Sequence, residues 1–321
     1  MICLIRRCII VSVVLITLSC SKTPIETFDI EEVSRLIDNA GGNATSFLFF
    51  TDPHLNENNT TFSKYLTAVE SVYSRLPLEF CLCGGDWLNS GDTNQQAYDK
   101  LKFINDYTYG LFGENYYSVL GNHDTNYQGR KDEGSNPNTG LLSRDEINEL
   151  LFSKQGNSFY SFNSGETKIF VFDTGLDWYP QMDEYKWSQV YWFAEELMAN
   201  DYENIIVAMH MYANEVKTPV EFSRCILEVA EAHNYKRKIS INGKDYDFML
   251  SHGLVACILC GHCHEDFVDY SYSIPVIGTT HLKAYDVPTY DLCIFNWQQH
   301  KLNLMRVGAG YNREIDLACE R

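Results

Sequence analysis

The segment LCGHCHED at residues 259–266 places Cys260, His262, Cys263 and His264 within five residues, and this density allows two chemistries. The cysteines, spaced Cys-x-x-Cys, could be one half of a structural zinc site. The histidines, presented by Gly261, could instead give one imidazole to each of two ions. Elsewhere the chain carries Asp52 and His54, then Asp86, then Asn122 with His123 and Asp124, then His210. Carboxylates, imidazoles and an amide suit hard or borderline divalent ions, and a carboxylate such as Asp86 can bridge two of them. No second Cys-x-x-Cys or His-x-x-x-His pair accompanies Cys260 and Cys263, so the zinc reading lacks its other half. On an extended segment His262 and His264 project to one side and Cys263 to the other. Gly261 would permit the sharp turn that presents them.

These residues must be positioned by regular elements, and the apolar pattern supplies them. Residues 46–50 run into Asp52, 80–83 into Asp86, 116–120 into Asn122, 205–209 into His210, and 254–260 into His262. Each run has the length and the β-branched or aromatic content of a buried strand. Strands that end in ligand-type side chains predict one rim of a sheet, where open α/β sheets place their sites. Helical periodicity appears over 60–76, 95–107, 143–152, 184–199 and 221–233, with a Ser-x-x-Glu start at Ser143 and Glu146. Residues 159–162 and 168–172 read as a hairpin, and 275–278, 290–297 and 301–307 as further strands.

A chain of 321 residues with 45% hydrophobic and 14% aromatic residues has a globular composition and room for one large domain. Its formal charge of −18 argues against a nucleic-acid backbone as partner, while a phosphate substrate stays open because bound cations reverse the local sign. The first residues differ from the rest. Arg6 and Arg7 precede an apolar run over 9–18, too short for a membrane span of roughly 20 residues, and the run ends in Ser19-Cys20-Ser21. That pattern resembles a bacterial lipoprotein signal, with residues 1–20 as the signal segment and Cys20 as the lipidated residue. The expectation is an exported protein of the bacterial cell envelope that meets the membrane only through this anchor. Residues 21–45 would be a tether and lead-in. Most of the remaining cysteines lie in apolar runs and read as small buried hydrophobes, with few or no disulfides.

Taken together, Asp52-Pro53-His54, Gly85-Asp86, Gly121-Asn122-His123-Asp124, the lone His210 and Gly261-His262-Cys263-His264 resemble the calcineurin-like metallophosphoesterase superfamily, in the family's order. The resemblance implies a four-layer α/β/β/α sandwich of two mixed β-sheets flanked by helices over residues 46–310, followed by a tail at 311–321. It implies two divalent transition-metal ions (Mn, Fe, Zn or Co), one held by Asp52, His54, Asp86 and His264, the other by Asp86, Asn122, His210 and His262. A hydroxide bridging the ions would attack a phosphate ester, and His123 would protonate the leaving oxygen with Asp124 orienting its imidazole. The chain departs from the family after Gly85-Asp86: Trp87-Leu88-Asn89-Ser90-Gly91-Asp92 stands in place of the frequent second acidic residue, and Asn89 stands where purple acid phosphatases carry a tyrosine ligand.

The substrate would be a phosphorylated small molecule or a lipid headgroup. The alternatives are a nucleotide or phospholipid-headgroup phosphodiesterase or pyrophosphatase and, from a different class, a metal-binding recognition protein without turnover. Arg130 and His281 are candidate substrate contacts, and Trp178 with Tyr179 could line a base or sugar pocket. His233 and His300 sit in polar stretches and read as solvated, and Asp173 reads as a structural acceptor.

Overall fold

In the computed structural model, residues 28–42, 44–55, 59–126, 141–174, 183–212 and 221–319 are described. Two six-stranded sheets form the centre. In the first, β1 (Thr45–Phe50), β2 (Phe80–Cys83) and β3 (Tyr116–Ser118) run parallel, and β1 also pairs antiparallel with β12 (Tyr290–Asn296). The sheet continues through β13 (Lys301–Val307) to β14 (Arg313–Asp316), an edge strand drawn from the expected tail. In the second, β6 (Asn204–Ala208) lies parallel between β5 (Thr167–Val171) and β9 (Leu254–Cys260). The edges are β4 (Tyr160–Ser164) and β10 (Phe267–Asp269), the latter reached through β11 (Val276–Gly278).

Every residue of β1 and β2 is buried, as a strand covered on both faces requires. In β6 the period of two sorts side chains cleanly. Ile206 and Ala208 enter the core shared with the first sheet, and Ile205 and Val207 enter a second core on the opposite face. Helices α5 (Asp183–Met198) and α6 (Glu221–Asn234) pack on that opposite face. Helices α1 (Ile30–Ala40), α2 (Asn59–Tyr73), α3 (Asn94–Phe112) and α4 (Arg144–Leu151) pack on the first core. The result is the four-layer arrangement.

Local chemistry sets the helix starts. Thr93 with Gln96 and Ser143 with Glu146 form reciprocal capping boxes at α3 and α4. Asp29 caps α1 by accepting from the N–H groups of Glu31 and Glu32, so part of the expected lead-in is a helix. The hairpin of β7 (Lys238–Ile241) and β8 (Lys244–Asp247) was not anticipated, although its Asn242-Gly243 turn, with φ of 49° and 79°, is a strong short-range hairpin signal.

The single rim expected from the strand pattern is corrected here. The five site-bearing strands divide between the sheets, β1, β2 and β3 in one and β6 and β9 in the other. Their C-terminal ends face each other across the sandwich. Sequence patterning identifies strands but carries no signal for which sheet each joins. No helix among the described residues is long and apolar enough to cross a membrane.

Candidate metal centre

The backbone pairing of β1 with β2 continues past both strands and fixes the first ligands. Asp52 N–H donates to the Gly85 carbonyl at 2.9 Å, His54 N–H to Asp86 at 3.0 Å, and Leu55 N–H to Trp87 at 2.6 Å. Two trios result, Asp52–His54–His264 and Asp86–His210–His262, and within each trio the ligand atoms lie within 4.8 Å of one another. Asp86 Oδ2 lies between the trios, 3.1 Å from His210 Nε2 and 3.9 Å from His54 Nε2. Asp52 Oδ1 is 3.1 Å from His264 Nε2 and 3.9 Å from His210 Nε2. Both carboxylates are buried.

Two imidazoles are oriented by the Gly84–Leu88 segment itself. His210 Nδ1–H donates to the Gly84 carbonyl at 2.7 Å, and His54 Nδ1–H to the Leu88 carbonyl at 2.9 Å. Each ring therefore turns Nε2 toward the carboxylates, the way a metal-binding histidine is held by a backbone acceptor. Backbone strain accompanies this arrangement. Asp52, His54, Asp86, His262 and His264 all hold positive φ, between 41° and 68°, a conformation that non-glycine residues rarely adopt unless something compensates.

The histidine pair corrects the sequence reading in one respect. His262 and His264 do reach different trios, but left-handed turns place them there rather than the alternation of an extended segment. Gly261 is required for space, not for its φ, since a Cβ there would lie 2.0 Å from Thr51 Oγ1 and 2.7 Å from Asp52 Oδ2. Likewise a Cβ on Gly121 would stand 2.1 Å from Asp86 N, so the two loops touch through bare backbone. Cys263 packs against the second core and belongs to neither trio.

Electrostatically the groups lean on one another. Burial opposes a charge on His210, but the carboxylates of Asp86 and Asp52 outweigh it and hold its pKa up at about 10. Burial also works against ionised Asp86 and Asp52, yet the histidines hold both carboxyls below their usual range. Asn122 Oδ1 is buried without a hydrogen-bond partner among the described residues. Buried carboxylates, inward Nε2 atoms and an orphaned amide oxygen fit divalent ions of the Mn, Fe, Zn or Co class.

Asp124 takes a role other than the expected one. Its buried carboxylate accepts from the backbone N–H groups of Asp86 (3.0 Å), Trp87 (2.6 Å), Leu88 (3.1 Å) and Gly121 (2.8 Å). It thus holds the Asp86 turn in place and leaves His123 to other partners. Burial and the charge of Asp86 push its pKa up to about 7, against the pull of those N–H donors. His123 N–H donates to Asp86 Oδ1 at 2.8 Å, and its Nε2 lies 3.9 Å from Asp86 Oδ2. The imidazole Nδ1 meets Ser90 Oγ at 2.9 Å and the Asn89 carbonyl at 3.1 Å.

At the edge of the cleft, His281 lies with its ring centroid 4.8 Å from that of His264, and its Nδ1 is buried without a partner among the described residues. Lys283 donates to the His54 carbonyl, and burial holds its pKa below the usual amine range. Sequence reasoning missed Lys283, for which no motif stood. Arg130, Trp178 and Tyr179, like Cys20, lie outside the described residues. Asp173 is structural as expected, accepting from Ser158 Oγ at 2.6 Å. His233, expected in solvent, is instead buried at the end of α6 and donates to the Gly253 carbonyl from Nε2 at 3.0 Å. His300 is exposed.

The sequence profile of the calcineurin-like phosphoesterases matches residues 45–266, the whole span that carries both trios. This chain belongs to the calcineurin-like phosphoesterase family. As a member it is a hydrolase acting on phosphoester bonds. Among solved structures, a dimetal phosphatase from Danio rerio superposes with a TM-score of 0.58 at 11% identity, over 86% of this chain and 99% of that one. A purple acid phosphatase from yellow lupin (Lupinus luteus) seeds superposes with a TM-score of 0.53 at 11% identity, over 86% of this phosphoesterase. That alignment takes in 54% of the lupin chain, so the phosphoesterase spans about half its length. At these identities the likeness is one of fold. Among curated proteins no sequence matches.

Proposed function

We propose that this phosphoesterase hydrolyses a phosphate ester of a small molecule or a lipid headgroup at a two-ion centre, with Asp86 shared between the ions. The observation that carries the reading is that two buried carboxylates, Asp86 Oδ2 and Asp52 Oδ1, each lie within 3.9 Å of a histidine of both trios, and the family resemblance assigns the shared position to Asp86. Asp52, His54, Asp86 and His264 would hold one ion, and Asp86, Asn122, His210 and His262 the other. The ions would supply Lewis acidity for the phosphoryl oxygens and a water acidic enough to attack near neutral pH.

The chain's own residues do the rest. Asp124 and the backbone-anchored rings of His54 and His210 keep the ligands in place before any substrate arrives. His123, partly exposed beside Asp86, turns Nε2 to the cleft and would deliver a proton to the leaving oxygen. His281 and Lys283 flank the His264 side, where a substrate oxygen would meet them.

Replacing His123 by Ala tests the assignment. Turnover should fall by roughly 10² to 10⁴ with metal content unchanged, and undiminished turnover would remove His123 from the chemistry. We further propose export with a lipid anchor on Cys20 and residence in a bacterial cell envelope. Arg6, Arg7 and the apolar run over 9–18 support that reading. Mass spectrometry of the native amino terminus tests it, since an unmodified Met1 terminus would reject it.

A further inference from the structure

We propose that Ser90, together with the Asn89 carbonyl, is the positioning device of His123, fixing the imidazole in the tautomer protonated at Nδ1 and leaving Nε2 for the cleft. The inference rests on the reading of His123 as the proton donor to the leaving oxygen.

A carbonyl oxygen can only accept, so the 3.1 Å contact from His123 Nδ1 to Asn89 O requires a proton on Nδ1. Ser90 Oγ, 2.9 Å from the same nitrogen, shares that proton as a second acceptor. Its own hydroxyl hydrogen then has a place to go, the His123 carbonyl 3.4 Å away. With the opposite tautomer the Nδ1 lone pair would face the Asn89 carbonyl. Only one proton arrangement satisfies all the atoms.

The loop that carries Ser90 is itself fixed at both ends by the turn that carries His123. Asp124 takes the N–H groups of residues 86 to 88. Asn126, also buried, accepts from Asp92 N–H at 3.1 Å and donates to the Asp92 carbonyl at 2.8 Å. Asp92 is further held by Lys100 at 2.8 Å. Between these anchors Ser90 adopts φ of 61° and Gly91 φ of 98°. A serine in the left-handed region is uncommon, and its bonds to His123 are the compensation visible here.

Residues 87–91 carry no acidic side chain, and two uncharged oxygens stand behind this imidazole.

The test is a double-mutant cycle joined to a spectroscopic measurement. Ser90→Ala should lower kcat about tenfold, the worth of one ordinary hydrogen bond, with metal content and KM unchanged. Ser90→Gly, which relaxes the left-handed φ while removing the same hydroxyl, should lose as much. In a His123→Ala background the Ser90→Ala change should cost less than about twofold, because the residue it acts through is gone. Nitrogen-15 NMR of the zinc-loaded, histidine-labelled protein at about pH 8.5 should show His123 protonated at Nδ1 in the wild type and in Ser90→Ala alike, because the Asn89 carbonyl still accepts from Nδ1. A wild-type His123 protonated at Nε2, or an undiminished Ser90→Ala effect in the His123→Ala background, would overturn the proposal. The NMR readout needs no turnover, so failure of this inference and failure of the phosphoesterase reading can be told apart.

Discussion

Replacing Asp124 by Asn separates two roles that one carboxylate could play. If Asp124 oriented the His123 imidazole, the amide would keep the fold and the metals and damage only turnover. The structure predicts the reverse order of damage. The carboxylate accepts four backbone N–H groups, two on each oxygen, at 2.6 to 3.1 Å. Asn keeps one oxygen and turns an NH₂ group toward the other two donors. Leaving two buried N–H groups unsatisfied costs about 1–3 kcal/mol each, so the variant should lose about 2–6 kcal/mol of stability. Measurements belong at about pH 8, above the pKa of about 7, where Asn replaces a carboxylate and not a neutral acid. Because the freed pair is either Trp87 with Leu88 or Asp86 with Gly121, all of them at or against the Asp86 turn, the Asp86 ligand should shift in either case. Denaturant unfolding and metal content should therefore both change before the catalytic constants are considered. A variant within about 0.5 kcal/mol of wild type that keeps its metals but loses turnover would refute the scaffold role.

Other predictions follow from groups away from the ligands. Burial, then the Lys236 ammonium, holds the His233 pKa down at about 4, against about 6.5 in an unfolded chain. The unfolded state therefore binds the extra proton first, and stability should fall by about 3 kcal/mol between pH 6.5 and 4. His233→Gln should flatten that part of the pH–stability curve, and an unchanged slope would contradict the burial. Asp291 is buried between Arg306 and Arg313; burial raises its pKa, but the guanidiniums outweigh it and hold the carboxyl below its usual range. That contribution is present above the unfolded carboxylate pKa and lost only below it. Arg306→Met, which leaves Arg313 as the one guanidinium among the described residues for both Asp291 and Asp266, should cost about 1.5–3 kcal/mol by chemical denaturation. A cost below about 1 kcal/mol would show the network to be dispensable.

The site was more legible in the sequence than the architecture around it. Asp52, His54, Asp86, His210, His262 and His264 announce themselves because metal chemistry restricts residue type, and each follows an apolar run that reads as a strand. The partition of those strands between two sheets was not legible from the runs, since pairing is a long-range choice that an apolar hexapeptide does not record. The partners of His123 were not legible either. Nothing in Asn89-Ser90 says that a left-handed turn will bring its oxygens to Nδ1, and the family resemblance pointed to Asp124 instead. His233 misled for a similar reason, because its polar neighbours hid a burial imposed by the end of α6. The Asn242-Gly243 hairpin, by contrast, was readable from sequence and went unread.

The measurement that bears most directly on a shared two-ion centre is metal content by mass spectrometry. It should be run on wild type and Asp86→Asn, alongside hydrolysis of an aryl phosphomonoester and phosphodiester with added Mn²⁺. The account predicts about two equivalents of transition metal, metal-dependent turnover of at least one ester, and loss of both ions together in Asp86→Asn. One tightly held zinc that survives Asp86→Asn, with neither ester turned over, would contradict it.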